Sequence, residues 1–132
     1  MPTRKRIHVV GAVIVRDGKI LCAQRGPDSS LPGMWEFPGG KIEPGETPRA
    51  ALEREIHEEL ACAIDVGDEL TTTTHRYDFG DVTLTTFWCE LRSGIPKLTE
   101  HSEVRWARPP ELDLLSWAPA DIPAVRAIID AR

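Results

Sequence analysis

Residues 7 to 15 read Ile-His-Val-Val-Gly-Ala-Val-Ile-Val. Nearly every position is apolar and most are β-branched, so the run has the chemistry of a strand but no alternation of wet and dry faces. Such a strand has to be covered on both sides. That excludes a sheet with one face open to water and asks for a packed layer above and another below. The rest of the chain supplies the other strands. Asp17-Gly18 is a two-residue hairpin signal, and Lys19 to Gln24 is the returning strand. Residues 26–34, with two Pro, two Gly and two Ser, form a loop ahead of a short strand at Trp35-Glu36-Phe37. Ala63 to Glu69 is weakly strand-like, and 71–78 with 82–91 reads as a hairpin turning at Gly80-Asp81. A polar loop over 92–102, a last strand from Val104 to Ala107 and a helical turn over 111–115 follow. Asp121 to Ala131 reads as a closing helix with Val125, Ile128 and Ile129 facing inward; Pro123 is tolerated in its first turn. Strands in both directions with two substantial helices predict an α/β/α sandwich, a mixed central sheet between helices, in one domain over 1–132.

Between the strands lies a stretch of a different kind. Pro38-Gly39-Gly40-Lys41-Ile42-Glu43-Pro44-Gly45-Glu46 is a Gly/Pro loop. It leads into a helix with Thr47 as N-cap and Pro48 at the first helical position, where its missing N–H costs nothing. Leu52, Ile56 and Leu60 recur at i, i+4, i+8 and make one apolar stripe. Glu55, Glu58 and Glu59 fall within an arc of roughly 100° beside that stripe. Glu55 has Glu59 at i+4, where an ordinary solvated helix would set a Lys or Arg. Carboxylates that repel one another at the edge of a packed face suit a hard divalent cation such as Mg²⁺, which takes oxygen ligands and substrate phosphates.

The spacing of the whole stretch resembles the signature of the Nudix hydrolases: Gly, five residues, Glu, seven residues, then Arg-Glu-apolar-any-Glu-Glu-any-Gly-apolar. Here these positions are Gly40, Glu46, Arg54, Glu55, Ile56, Glu58, Glu59 and Cys62, with Ala61 standing where the family has Gly. If Ala61 takes a positive φ, the departure costs about 1 kcal/mol at the helix exit. Beyond the signature, Ala23-Gln24-Arg25, Trp35 to Lys41, Glu100, Trp106 and Pro119-Ala120-Asp121-Ile122-Pro123 resemble the MutT group, nucleotide-pool sanitisers with a role in DNA repair, and the related CTP pyrophosphohydrolases.

The resemblance implies a role for each matching residue. Glu55, Glu58 and Glu59 would hold Mg²⁺ (Mn²⁺ can substitute) with the backbone carbonyl of Gly39, and one of them would be the general base. Glu100 would be an extra catalytic carboxylate. Arg54 would point away from Glu55 and pair with Glu46, holding the loop to the helix beside Gly40. Lys41 is a phosphate contact or a solvated loop lysine. Arg25, Phe37 and Trp35 are candidates to line a base pocket, with packing as the alternative for Trp35. Asp121 has two readings, an N-cap of the last helix and a reader of the base. An ionised Asp accepts only, which suits the adjacent donors of a guanine edge; the donor beside an acceptor on cytosine needs a protonated Asp. The expected reaction is cleavage of a nucleoside triphosphate to monophosphate and pyrophosphate, on 8-oxo-dGTP, CTP, dCTP or 5-methyl-dCTP. The alternatives are dinucleoside polyphosphates or ADP-ribose, and nucleotide binding without hydrolysis.

Composition bounds the partners. A net charge of −5 and a pI near 5.4 argue against a protein that lives on duplex phosphate contacts. There is no apolar run long enough to span a membrane and no leader-like segment, so a cytoplasmic protein is expected, as a monomer or weak homodimer. Cys22, Cys62 and Cys89 each sit in an apolar run and read as buried thiols. Gly39-Gly40-Lys41 is not a Walker A loop, because Ile42 follows the lysine, and His57-Glu58 has Ala61 where a zinc helix needs a second His. His75 and His101 read as solvated.

Overall fold

The computed structural model describes residues 5–97 and 101–131. In chain order these form β1 (Arg6–Arg16), β2 (Lys19–Arg25), β3 (Trp35–Glu36), β4 (Gly39–Lys41), α1 (Pro48–Leu60), β5 (Ala63–Tyr77), β6 (Gly80–Ser93), β7 (His101–Ala107), two 3-10 segments (Pro109–Leu114 and Pro119–Asp121) and α2 (Ile122–Asp130). The strands make one mixed sheet in the order β3-β2-β1-β6-β5, with β4 on β1 and β7 on β2. Among these pairings β1 with β6 is parallel and the others are antiparallel.

The two-sided burial expected of β1 is present. Val10, Ala12 and Ile14 face one cluster, completed by Leu52, Ile56 and Leu60 of α1. Val13 faces the other, with Trp35, Phe37 and the α2 residues Val125 and Ile128. The sheet therefore lies between helices, as the pattern of residues 7 to 15 demands. Burying each of these Val, Leu and Ile side chains stabilises the fold by about 1.5–3 kcal/mol before entropy is counted. All three cysteines are buried free thiols, and burial pushes Cys22 and Cys89 up to about 12.

Several segments differ from the sequence reading. The Gly/Pro stretch is not loop throughout: Gly39–Lys41 pairs with Val9, Val10 and Gly11 of β1. That edge is free because β1 and β2 pair only beside their turn, Val15 with Ile20 and Arg16 with Lys19. Residues 63–77 form one strand with register shifts between Val66 and Thr71, where the sequence suggested two pieces. The 92–102 loop is shorter, because β6 continues to Ser93 and β7 begins at His101. Finally, the closing helix starts at Ile122, and Pro119–Asp121 ahead of it is 3-10.

Candidate active site

Thr47 caps α1 through its hydroxyl, which accepts from Ala50 N–H at 3.1 Å, and Pro48 opens the helix. The helix ends at Ala61 in the left-handed region, φ 57° and ψ 36°, a conformation that suits the glycine usual at this exit. Arg54 is the hub of this end. Its Nε and Nη2 take both oxygens of Glu46 at 2.6 and 2.9 Å, and Nη2 also reaches the Lys41 carbonyl at 3.0 Å. Here the expectation needs correcting: Arg54 does not point away from the acid cluster. Its Nη1 donates to Glu55 at 2.8 Å and to Glu58 at 3.2 Å. One guanidinium thus offsets the repulsion between helix acids and ties the loop to them. The Arg54 bonds, then the Glu43 backbone N–H, hold the Glu46 carboxyl down at about 2.

Gly40 allows this closeness. A methyl group built on it would overlap the Glu55 carboxylate, and one on Gly39 would overlap the Val10 carbonyl. A larger residue at Gly39 meets backbone and would push β4 off β1, whereas one at Gly40 would displace the Glu55 carboxylate. Glu55 is 16% exposed against this backbone, Glu58 is 58% exposed, and Glu59 is buried. Among the described residues no three His, Cys, Asp or Glu side chains converge on one point. The donors are nonetheless all oxygens, on one helix beside a glycine backbone, and that chemistry fits a hard divalent cation.

A cavity of ≈ 540 Å³ opens where β1 and β2 part. Gly39, Gly40, Lys41 and Glu59 line one end, and Phe37, Tyr77, Phe79, Ala120 and Asp121 line another part of it. Phe37 is buried and packs its ring 4.7 Å from that of Trp117. Asp121 is 5% exposed, and its Oδ1 accepts from the Phe37 backbone N–H at 3.0 Å. Its side chain makes no cap bond to α2, so the capping expectation fails: the 3-10 approach turns the carboxyl inward to the cavity. Burial, then the nearby negative charge of Glu36, push Asp121 up to about 8, which favours its protonated form at neutral pH.

A model of the NUDIX domain matches residues 5–128. The chain belongs to the Nudix family. It is 40% identical to the CTP pyrophosphohydrolase of Escherichia coli K12 over 128 residues, 97% of this chain and 95% of that one. It is 38% identical to a putative 8-oxo-dGTP diphosphatase 2 of Mycobacterium tuberculosis over 120 residues, covering 86% and 81%. Its fold superposes with TM-score 0.81 on the solution structure of a protein described as DNA mismatch repair protein MutT, of the Nudix hydrolase family, from methicillin-resistant Staphylococcus aureus 252. Those two chains are 56% identical, with 98% of this chain and all of the other covered. The protein is therefore an enzyme of the Nudix pyrophosphohydrolase family, related to CTP pyrophosphohydrolase and to 8-oxo-dGTP diphosphatases.

Within this Nudix site, Arg25, Phe37, Gly39, Gly40, Lys41, Glu59 and Asp121 line the one cavity, and Glu55 abuts it at Gly40. Glu58, Glu46 and Arg54 are not among the lining residues. Glu100 lies outside the described residues. Trp35 is not a lining residue either; it is 6% exposed in the core under the guanidinium of Arg105. His101, read as solvated, has a side chain only 5% exposed, lines the cavity and bonds Glu36. His75 is half-buried against Tyr77, ring centroids 4.5 Å apart. Sequence reasoning also missed Glu36 and Phe79. Glu36 carries a signal, since it is the one charged residue between two aromatics of a strand that enters the glycine loop. Phe79 at a hairpin tip carries none.

Proposed function

We propose that the enzyme hydrolyses nucleoside triphosphates to monophosphate and pyrophosphate, with cytosine nucleotides (CTP, dCTP and 5-methyl-dCTP) preferred at neutral pH, and acts in the cytoplasm as a nucleotide-pool sanitiser. One observation carries the preference: Asp121 lines the cavity, is 5% exposed and takes the Phe37 N–H on Oδ1, a burial that raises its carboxyl to about 8 and favours the protonated form. Its Oδ1, already accepting from Phe37 N–H, can accept again, while the protonated oxygen donates. That donor and acceptor pair matches the N3 acceptor and amino donor of cytosine. The 40% identity to a CTP pyrophosphohydrolase points the same way.

The family is in general dependent on divalent metal. Glu55, Glu58 and Glu59 with the Gly39 carbonyl would hold Mg²⁺ or Mn²⁺. When bound there, such an ion neutralises phosphate oxygens and makes water a better nucleophile at neutral pH. The chain's own contributions are distinct. Arg54 orients Glu55 and fixes the loop through Glu46. Lys41 at the rim is a candidate phosphate contact. One carboxylate of the cluster, or Glu100, takes the proton from the attacking water. Phe37 supports the base, and Asp121 reads it.

The second reading is 8-oxo-dGTP, favoured by the 38% relative and by the acceptor-only form that Asp121 takes when ionised. A panel of CTP, dCTP, 5-methyl-dCTP, 8-oxo-dGTP, dGTP, ADP-ribose and a dinucleoside polyphosphate, with Mg²⁺ and chromatography of products, tests the proposal. CMP and pyrophosphate from CTP, formed faster than any product from dGTP, are expected. Turnover of ADP-ribose or the dinucleotide alone, or metal-dependent binding with no turnover, would overturn it.

A further inference from the structure

Arg25 ends β2 at an irregularity. Ile20 to Gln24 pair in step with Ala107 to Glu103 of β7, then the register shifts and Arg25 lies opposite His101. Shifts of this kind re-aim a side chain that alternation would have sent elsewhere. Arg25 reaches across to the 26–34 loop, with Nε on the Ser30 carbonyl at 2.6 Å and Nη2 on the Ser30 hydroxyl at 3.1 Å. Its Nη1 donates to Glu36 Oε1 at 2.6 Å, and Glu36 Oε2 lies 2.9 Å from His101 Nε2. A carboxylate accepting from arginine has no proton to give, so Nε2 carries the hydrogen and donates. Side-chain exposures are 23% for Arg25, 19% for Glu36 and 5% for His101, so these charge-assisted bonds are shielded from solvent.

The loop at the far end of this chain of bonds is strained. Leu31, which is not a glycine, sits at φ 58°, which costs about 1 kcal/mol and persists only where surroundings hold it. Gly26, Ser29, Ser30 and Leu31 of this loop line the cavity, as do all three residues of the chain.

We infer that Arg25, Glu36 and His101 form a strap that holds the 26–34 loop as a wall of the substrate cavity, with Glu36 and His101 as positioning residues. Arg25 then serves the substrate through the loop. The inference rests on the proposed nucleotide reaction for its kinetic consequences and on the loop alone for its structural one.

The test uses the whole protein and the variants Arg25→Ala, His101→Ala, His101→Gln and the Arg25→Ala/His101→Ala pair. KM and kcat are measured on CTP, or on whichever triphosphate the wild type cleaves fastest, together with amide exchange of Ser29 and Gly33. These amides bond the Gly26 and Arg25 carbonyls within the loop. Arg25→Ala should raise KM about tenfold with kcat changed less than about threefold, the scale of one charge-assisted bond. His101→Ala should do the same to a smaller extent. The double variant should match Arg25→Ala, because without the arginine the strap has nothing left to hold. His101→Gln, whose Nε2 can still donate to Glu36, should recover most of the KM. Loop exchange should quicken in both alanine variants while amides of α1 keep their wild-type rates. Additive KM effects, a fall in kcat at constant KM, or wild-type loop exchange in both alanine variants would overturn the strap. A wild type that cleaves no triphosphate would instead remove the proposed function, and exchange alone would then judge the strap.

Discussion

Beside α1, charge is balanced by pairing in a half-buried network. Arg54 spans Glu46, Glu55 and Glu58, the first two of them less than a fifth exposed, and its bonds to Glu46, with the Glu43 backbone N–H, hold that carboxyl at about 2. At the Asp121 end, charge is buried and suppressed: the carboxyl is enclosed, stands near Glu36, and keeps its proton to about 8. The two ends place carboxyl groups at opposite extremes of their titration range by different means, one by pairing and one by burial. The chemistry proposed for each end follows. Ionised oxygens suit a cation and phosphates, whereas a neutral acid can present a donor and an acceptor to a base.

The largest effects should come from breaking the ionised end. Glu55→Gln and Glu59→Gln should each lower kcat by about 10³-fold or more with the fold retained, since each removes a charge required in the reacting complex. Circular dichroism with single-turnover kinetics checks this, and near-normal turnover in both variants would contradict the assigned roles. Arg54→Ala should lower kcat/KM by about 10–100-fold, through Glu55 losing its partner and the loop losing Glu46. Arg54→Lys should rescue little, because an ammonium cannot take both Glu46 oxygens while reaching Glu55.

At the buried end the signature is pH dependence. Unfolded, Asp121 binds its proton only below about 3.8; folded, it holds the proton to about 8. Between those values the native state carries the extra proton, so this residue contributes stability that is complete below the lower value and is lost as pH rises to the upper one. The loss runs at up to about 1.4 kcal/mol per pH unit. Asp121→Asn should remove that slope in urea melts taken across the window and should leave the protein more stable at neutral pH. The smallest effect belongs to the helix exit: Ala61→Gly, relieving φ 57° at the end of α1, should stabilise by about 1 kcal/mol with unchanged kinetics, seen as a rise in the denaturant midpoint.

The same contrast explains what could be read from the chain. The α1 end is local: Gly40 to Cys62 carries loop, cap, apolar stripe and acids in consecutive residues. Helical spacing alone sets Leu52, Ile56 and Leu60 inward and the acids beside them. The two-sided burial of β1 was equally plain from its β-branched run. The pairing of Arg54 with Glu55 was not, because a side chain long enough to fold back along its helix has no fixed direction in a sequence pattern. The Asp121 end is non-local. Asp121 meets the Phe37 amide across 84 residues, and His101 meets Glu36 across 65. A residue at the start of a helix is an ordinary cap until the preceding 3-10 turn rotates it inward. A histidine in a polar stretch is solvated until β7 is seen to begin with it.

The most direct test of the account is the ratio of kcat/KM for CTP to that for 8-oxo-dGTP, followed from one pH unit below to one unit above the Asp121 transition near 8, in wild type and Asp121→Asn. A pH effect on the chemistry shared by both substrates cancels in the ratio, and the Asn variant carries the bases' own titrations. In the wild type the ratio should favour CTP below the transition and fall through it, with that fall absent from Asp121→Asn. Parallel curves for the two proteins would contradict the account.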